Sequence, residues 1–315
     1  MRDTRRGMAY GLAAYAMWGL APLYWPLLAP TPASQILAHR MVWSLVFVAA
    51  ILALRRRWAF LADLRRDRRR LVLLSAAAVL VSINWGVYIW AVNAGHVVES
   101  SLGYFIVPLI SIALGVLVLK ERLRPVQWVA VGIGALAVVE IAVSYGRLPW
   151  IALALGASFG CYGLVKKLAA TPALESMAVE TSLVAPPALV YLAVVQAQGH
   201  GSFGHVAAGT ELLLISSGIV TAVPLLFFAA AARRVPLSLM GLLQYLTPVL
   251  QFLLGVYVRH EQVPRSELVG FVLVWIALSV LGVGGFVRWR RQNVSARPLT
   301  QQYDEVDELS VVETP

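Results

Sequence analysis

Charge is what this sequence has least of. Only 13% of its 315 residues are Asp, Glu, Lys or Arg, against roughly 25% in water-facing domains. Fully 59% are apolar, and the mean hydropathy is +0.75. Such a chain cannot cover a water-facing surface. Cysteine is nearly missing too: Cys161 stands alone, which excludes an internal disulfide and leaves cysteine-based metal motifs without ligands. As a small residue inside an apolar run it reads as packing. No H-E-x-x-H and no G-x-x-x-x-G-K-[ST] occurs, so zinc hydrolysis and ATP-driven pumping lack their usual parts. No metal or cofactor is expected. The net charge of +10 does not argue for nucleic acid, because the basic residues stand in short stretches between apolar runs.

Long apolar runs are what the sequence has instead. Ten can be counted, at about 8–28, 33–54, 71–93, 97–119, 126–144, 149–168, 174–197, 210–232, 236–257 and 266–288. A hydrocarbon core about 30 Å thick needs about 20 residues of helix, so each reads as a membrane span. In "ESSLGYFIVPLISIALGVLVLKER", residues 99–122, charges stand only at the ends and Pro108 sits near the middle. An interior proline is tolerated in a membrane bundle, where neighbouring helices satisfy the freed carbonyl. The basic N-terminus before the first run resembles a signal peptide. That run is long, contains Pro22 and lacks a clear A-x-A site, so it is expected to remain as a first helix.

With the N-terminus inside, the inner connections carry 22 Lys and Arg residues and the outer ones 3. That asymmetry places both termini in the cytoplasm. The basic connection 55–70 has Trp58, Leu61 and Leu64 at helical spacing, which suits either an interfacial amphipathic turn or a plain solvated loop. The polar, acidic tail from about 291 is expected to be disordered.

The chain also repeats. Shifted by 140 residues, "LGYFIVPLISIALGVLVLKE" lies on "LLQYLTPVLQFLLGVYVRHE", with Pro108 on Pro248, Gly115 on Gly255 and Glu121 on Glu261. The expected fold is therefore all-α and integral to the membrane: ten transmembrane helices as two inverted five-helix repeats, 1–146 and 147–290, around a central cavity, followed by a tail at 291–315. Inverted repeats with a cavity at their interface are a transporter signature. A duplicated membrane enzyme or a passive channel is the alternative.

Ionisable residues deep in a membrane cost about 2.5 kcal/mol or more each and default to functional candidates. Arg40 is the sharpest. It cannot shed its proton, so it needs a carboxylate, carbonyls or a ligand; an ion pair with Glu99 or Glu140 and a cavity-facing role are both open. His39 is a candidate proton site or a packing residue. Glu180 can titrate with transport or pair with Lys166 or Lys167. Asn84, Trp85 and Tyr88 fall on one helix side, with Trp90 and Asn93 near them. Tyr104, Gln244, Tyr245 and Gln251 flank the two prolines, which are expected to kink helices four and nine at matching depth. An aromatic and amide wall suits an amphipathic solute; helix–helix hydrogen bonding is the plainer use. "GASFG", residues 156–160, matches the hydrolase elbow G-x-S-x-G but lies within an apolar helix, where its small residues serve close packing. His200 and His205 sit in a Gly-rich outer connection and read as loop residues.

The strings "YAMWGLAPLYW", "ILAHRMVWS", "INWGVYIWAVN", "ESSLGYFIVPL", "FGCYGLVKK", "VETSLVAP" and "GLLQYLTPVL" resemble the RarD-type permeases of the EamA family, within the drug/metabolite transporter superfamily. Many of these are labelled chloramphenicol-sensitive or chloramphenicol-resistance proteins. The likeness runs from residue 7 to about 290. It implies a secondary carrier of the bacterial inner membrane, with helices one to four and six to nine around the cavity. It names no solute. The expected partners are a small molecule and the lipid bilayer, with protons as a candidate coupling ion and a homodimer as a candidate assembly.

Overall fold

The computed structural model describes residues 2–258 apart from 57, 95 and 146–148, together with 272, 275, 276 and 279. The tenth expected span and the tail otherwise lie outside the described residues. Among the described residues there are helices and no strand. The helices are α1 Arg2–Leu20, α2 Ala33–Leu54, α3 Phe60–Arg66, α4 Arg68–Asn93, α5 Val97–Leu117, α6 Pro125–Tyr145, α7 Trp150–Ala169, α8 Ala173–Ala197, α9 Ala208–Ala232, α10 Leu237–Gln244 and α11 Leu246–Tyr257. Five of them, α2, α4, α7, α8 and α9, are long and apolar enough to cross a membrane.

Prolines set many of the boundaries. Pro32, Pro149, Pro172 and Pro236 each precede a helix, and Pro125 opens α6. A first-turn proline gives up only an N–H that has no partner there. Within the first expected span, Pro22 and Pro26 remove donors that α-helix would need. The chain continues past α1 as two 3-10 turns, Ala21–Leu23 and Trp25–Leu28. The ninth span is divided at Tyr245. Pro248 has no N–H for the carbonyl of Gln244, four residues back, and the α-helix breaks there. Through Pro108, α5 runs without a break.

Packing is between sequence-distant helices. α5 lies along α7, and α1 along α11; α4 lies along α7, and α1 along α9; α2 lies along α9, and α4 along α8. α2 also meets α8, and α10 meets α5. Glycines permit the closest crossings. A Cβ on Gly218 would stand 2.3 Å from the Trp43 carbonyl carbon, and one on Gly241 would stand 2.7 Å from the Pro108 oxygen. On Gly156 and Gly160 of "GASFG", added Cβ atoms would each meet Ile106 or Ile110 at 2.7 Å. The small residues of that motif serve the α5–α7 crossing. Large apolar side chains cover the outer faces, among them Leu54 at 86% and Val143 at 74% exposed, as a lipid-facing surface requires.

The two ends of the bundle differ. One collects the connections after α2, α5, α7 and α9 with their Lys and Arg residues. There Arg234 Nε donates to Asp3 at 3.1 Å and Lys167 Nζ donates to the Val235 carbonyl at 2.6 Å. The connection 55–67 folds into α3, which buries Phe60 and Leu64 in the main core and leaves Trp58 and Leu61 exposed. At the opposite end Gln35 holds the α8–α9 connection, donating to the His200 carbonyl and accepting from the Ser202 amide, both at 2.8 Å.

Candidate functional site

A cavity of about 340 Å³ lies in the half of the bundle away from the basic end. Its wall is built from the end of α1 and the turns after it, the first half of α2, the second half of α4, and parts of α5, α7, α9, α10 and α11. Trp18, Trp25, Trp85 and Phe159 give it aromatic surface, and Asn84, Thr221, Gln244, Thr247 and Gln251 give it polar points.

Among the described residues, Arg40 is the charged one of this wall. Its Nε donates to Thr221 Oγ1 at 2.8 Å, and its guanidinium stands 4.4 Å from the Trp25 ring and 5.2 Å from the Trp85 ring. A weakly hydrated, planar cation is stabilised against such aromatic faces. Thr247 donates to the Tyr15 carbonyl at 3.0 Å, and Asn84 Nδ2 donates to the Leu155 carbonyl and to Ser158 Oγ at 2.9 and 3.0 Å. Asn84 thus both binds α4 to α7 and faces the cavity. Ser158 Oγ lies 2.7 Å from the Ala154 carbonyl, so the serine of "GASFG" is held by its own helix and by Asn84.

Of the residues singled out by sequence, Arg40, Asn84, Tyr88 and Gln244 line the cavity, as do Trp85 and Gln251. His39, Trp90, Tyr245 and Glu180 lie off it. His39 is buried, with its ring 5.3 Å from that of Phe203 in the α8–α9 connection. One residue along a helix is a turn of about 100°, so it faces away from its neighbour Arg40. Trp90, 48% exposed, packs on Trp150 and His96 at the rim of the bundle. Tyr245 is fully buried beside Phe105, with its hydroxyl where a Cβ on Gly134 would be 2.4 Å away. The side chains of Asn93, Glu99, Tyr104 and Glu140 are outside the described residues, as is Glu261.

Glu180 lies in the other half of the bundle. Its Oε1 accepts from Lys166 Nζ and from Ser176 Oγ, and its Oε2 accepts from the Tyr162 hydroxyl at 3.0 Å. It therefore pairs with Lys166, one of the two lysines expected as partners. Sequence reasoning assigned no contact to Glu121. That carboxylate accepts the amides of Leu237 and Ser238, both at 2.8 Å, and stands 3.7 Å from Lys167 Nζ. It caps the first turn of α10, where unpaired N–H groups and the helix dipole favour an anion. Trp25 and Thr221 were also missed; a tryptophan and a threonine in apolar helices carry no signal of facing a cavity.

The EamA-like transporter family profile matches this chain twice, at residues 5–143 and 148–283. "Protein RarD" of Streptomyces exfoliatus is 55% identical over 279 residues, covering 89% of each chain. "Protein RarD" of Escherichia coli (strain K12) is 41% identical, over 92% of this chain and 98% of the other. "Chloramphenicol-sensitive protein RarD" of Pseudomonas aeruginosa is 29% identical, over 90% and 95%. A crystal structure superposes with a TM-score of 0.66 over 87% of this chain and 96% of that one, at 18% identity, which speaks to the fold alone.

Proposed function

We propose, from the premise that this chain belongs to the EamA-like transporter family and to its RarD-type permeases, that it carries a small amphipathic solute through the cavity at Arg40. Family membership makes it a multi-pass membrane transporter. Beyond that, the reading is a secondary carrier of the bacterial inner membrane that works by alternating access. Ten spans form two inverted five-helix halves, 1–146 and 147–290, and both termini face the cytoplasm. Two observations support the halves. The family profile matches once in each. The helix contacts also come in exchanged pairs: swapping first-half for second-half helices turns α5–α7 into α11–α1, α4–α7 into α9–α1, and α2–α9 into α8–α4. The collection of basic connections at one end supports that end as cytoplasmic.

The cavity carries the functional reading. It brings helices of both halves around the Arg40 guanidinium, several amides and hydroxyls, and aromatic walls. That lining suits a solute with an apolar body and a hydrogen-bonding head. The test is counterflow by the purified protein in liposomes, screened with amino acids, nucleosides, vitamins and amphenicols, the last because one relative is named chloramphenicol-sensitive. One solute class should drive saturable exchange without ATP. Imposing a pH gradient then separates proton exchange from simple facilitation. Ohmic current in a planar bilayer, with no counterflow, would point to a channel instead.

A further inference from the structure

The second helices of the two halves start 140 residues apart, α2 at Ala33 and α8 at Ala173, each straight after a proline. The same offset separates the starts of α4 and α9, at 68 and 208, and of α5 and α10, at 97 and 237. In this register Arg40 and Glu180 hold the same position. Arg40 faces the cavity near one end of the bundle. Glu180 lies toward the basic end and is sealed, 3% exposed, with Lys166 at 4% and Ser176 at 2%. Each meets the end of the span before its own helix: Arg40 meets Trp25 after α1, and Glu180 meets Lys166 in the last turn of α7.

An aromatic plug joins the two places. Trp18 and Phe159 belong to the cavity wall. Phe228 lies 5.8 and 5.6 Å from them, and Tyr162 stacks on Phe228 at 5.7 Å. The Tyr162 hydroxyl then reaches Glu180. Every group in the cluster is satisfied: Lys166 donates to Glu180 and Ser176, and Ser176 donates to Glu180. A buried ion pair often stabilises a fold no better than apolar side chains of similar volume, so stability alone gives little reason for this one. Charges buried in a membrane are candidates for a functional path by default.

We infer that the Lys166–Glu180–Ser176–Tyr162 cluster is the inner counterpart of the Arg40 site. It is closed in this state and becomes the polar wall of the cavity when the carrier faces the cytoplasm. It takes the same solute, one whose head accepts hydrogen bonds: from Arg40 and the amides on one side, from Lys166, Tyr162 and Ser176 on the other. This rests on the two-half reading proposed above.

The test uses paired reporters in the full chain with Cys161→Ser: Leu37→Cys, in the cavity wall, and Met177→Cys, 140 residues on and 2% exposed. An impermeant maleimide is applied to either face of oriented proteoliposomes. Glu180→Gln strands the Lys166 charge in the closed state and hydrates it in the open one, so it should shift the population by about tenfold or more. Met177→Cys should then react faster from the cytoplasmic face, and Leu37→Cys slower from the outer face. The double variant Lys166→Met/Glu180→Leu strands no charge and should return both rates toward the parent's. An unchanged Met177→Cys rate in folded Glu180→Gln, or both reporters moving the same way, overturns the inference. If Glu180→Gln does not fold, the parent decides: a bulky maleimide first placed on Leu37→Cys should slow Met177→Cys about tenfold, and no slowing overturns the inference. Labelling of Leu37→Cys only from the cytoplasmic face would overturn the proposed orientation instead. The reciprocity of the two reporters then decides the cluster with the faces exchanged.

Discussion

Arg40 carries a charge it cannot lose into a wall of tryptophans and holds it there through Thr221. Its planar fork fixes both contacts, and an ammonium reproduces neither well. Arg40→Ala should lower counterflow by about tenfold or more, a loss of roughly 1.4 kcal/mol of transition-state stabilisation, in protein that still inserts and folds. Arg40→Lys should recover little of it. Transport at the parent rate in either variant would remove Arg40 from the solute path. Glu121 acts on the fold: its carboxylate holds two backbone amides of α10. Charge-assisted bonds of this kind contribute about 1.5–3 kcal/mol, so Glu121→Ala should lower the melting temperature by several degrees and Glu121→Gln by less, as read by thermal unfolding in detergent. Arg40 was legible in the sequence because a guanidinium among apolar residues is conspicuous. His39, its neighbour, was equally conspicuous and faces elsewhere, since adjacency in a helix separates directions. Glu121 stood out as part of the charged end of its run and as a residue in register with Glu261; the two amides it holds are more than a hundred positions away, where composition cannot point.

At the scale of helices, boundaries follow from local chemistry, and the expected spans agree closely with the observed helices. α2 was expected over 33–54 and runs Ala33–Leu54. The departures are also local. α1 begins earlier than its apolar run, because arginines are good helix formers and hydropathy alone cannot place the start. Pro22 and Pro26 turn the end of that span into 3-10 structure. Which helix meets which was not legible, because apolar faces are chemically alike. Glycines show where backbones approach. Gly218→Ala would put a Cβ against the Trp43 backbone, and overpacking of this kind costs about 1–3 kcal/mol or more. Gly132 has nothing within 4 Å of an added Cβ, so Gly132→Ala should be neutral or stabilise by about 0.5–1 kcal/mol. Thermal unfolding of the two variants side by side checks the α2–α9 crossing; equal effects would contradict it.

For the whole molecule, the long apolar runs made a membrane protein legible before any contact was known, and the quoted strings pointed to the transporter family that the profile matches. The solute is not written in composition, because a cavity assembled from eight separate segments has no contiguous signature. The proposed orientation predicts that a cysteine at position 200 is labelled from outside and one at position 62 only from the cytoplasm; the reverse pattern at either site would invert the topology. In the proposed mechanism, solute passes through the cavity at Arg40. Leu37 lines that cavity one turn of α2 before Arg40, and Leu37→Trp would fill it with an indole without touching the buried cluster at Glu180. The measurement is counterflow by Leu37→Trp protein in liposomes, beside the off-cavity control Trp90→Phe, with melting temperatures for both. Folded Leu37→Trp protein should lose exchange while Trp90→Phe keeps the parent rate. Exchange at the parent rate by folded Leu37→Trp protein would contradict it.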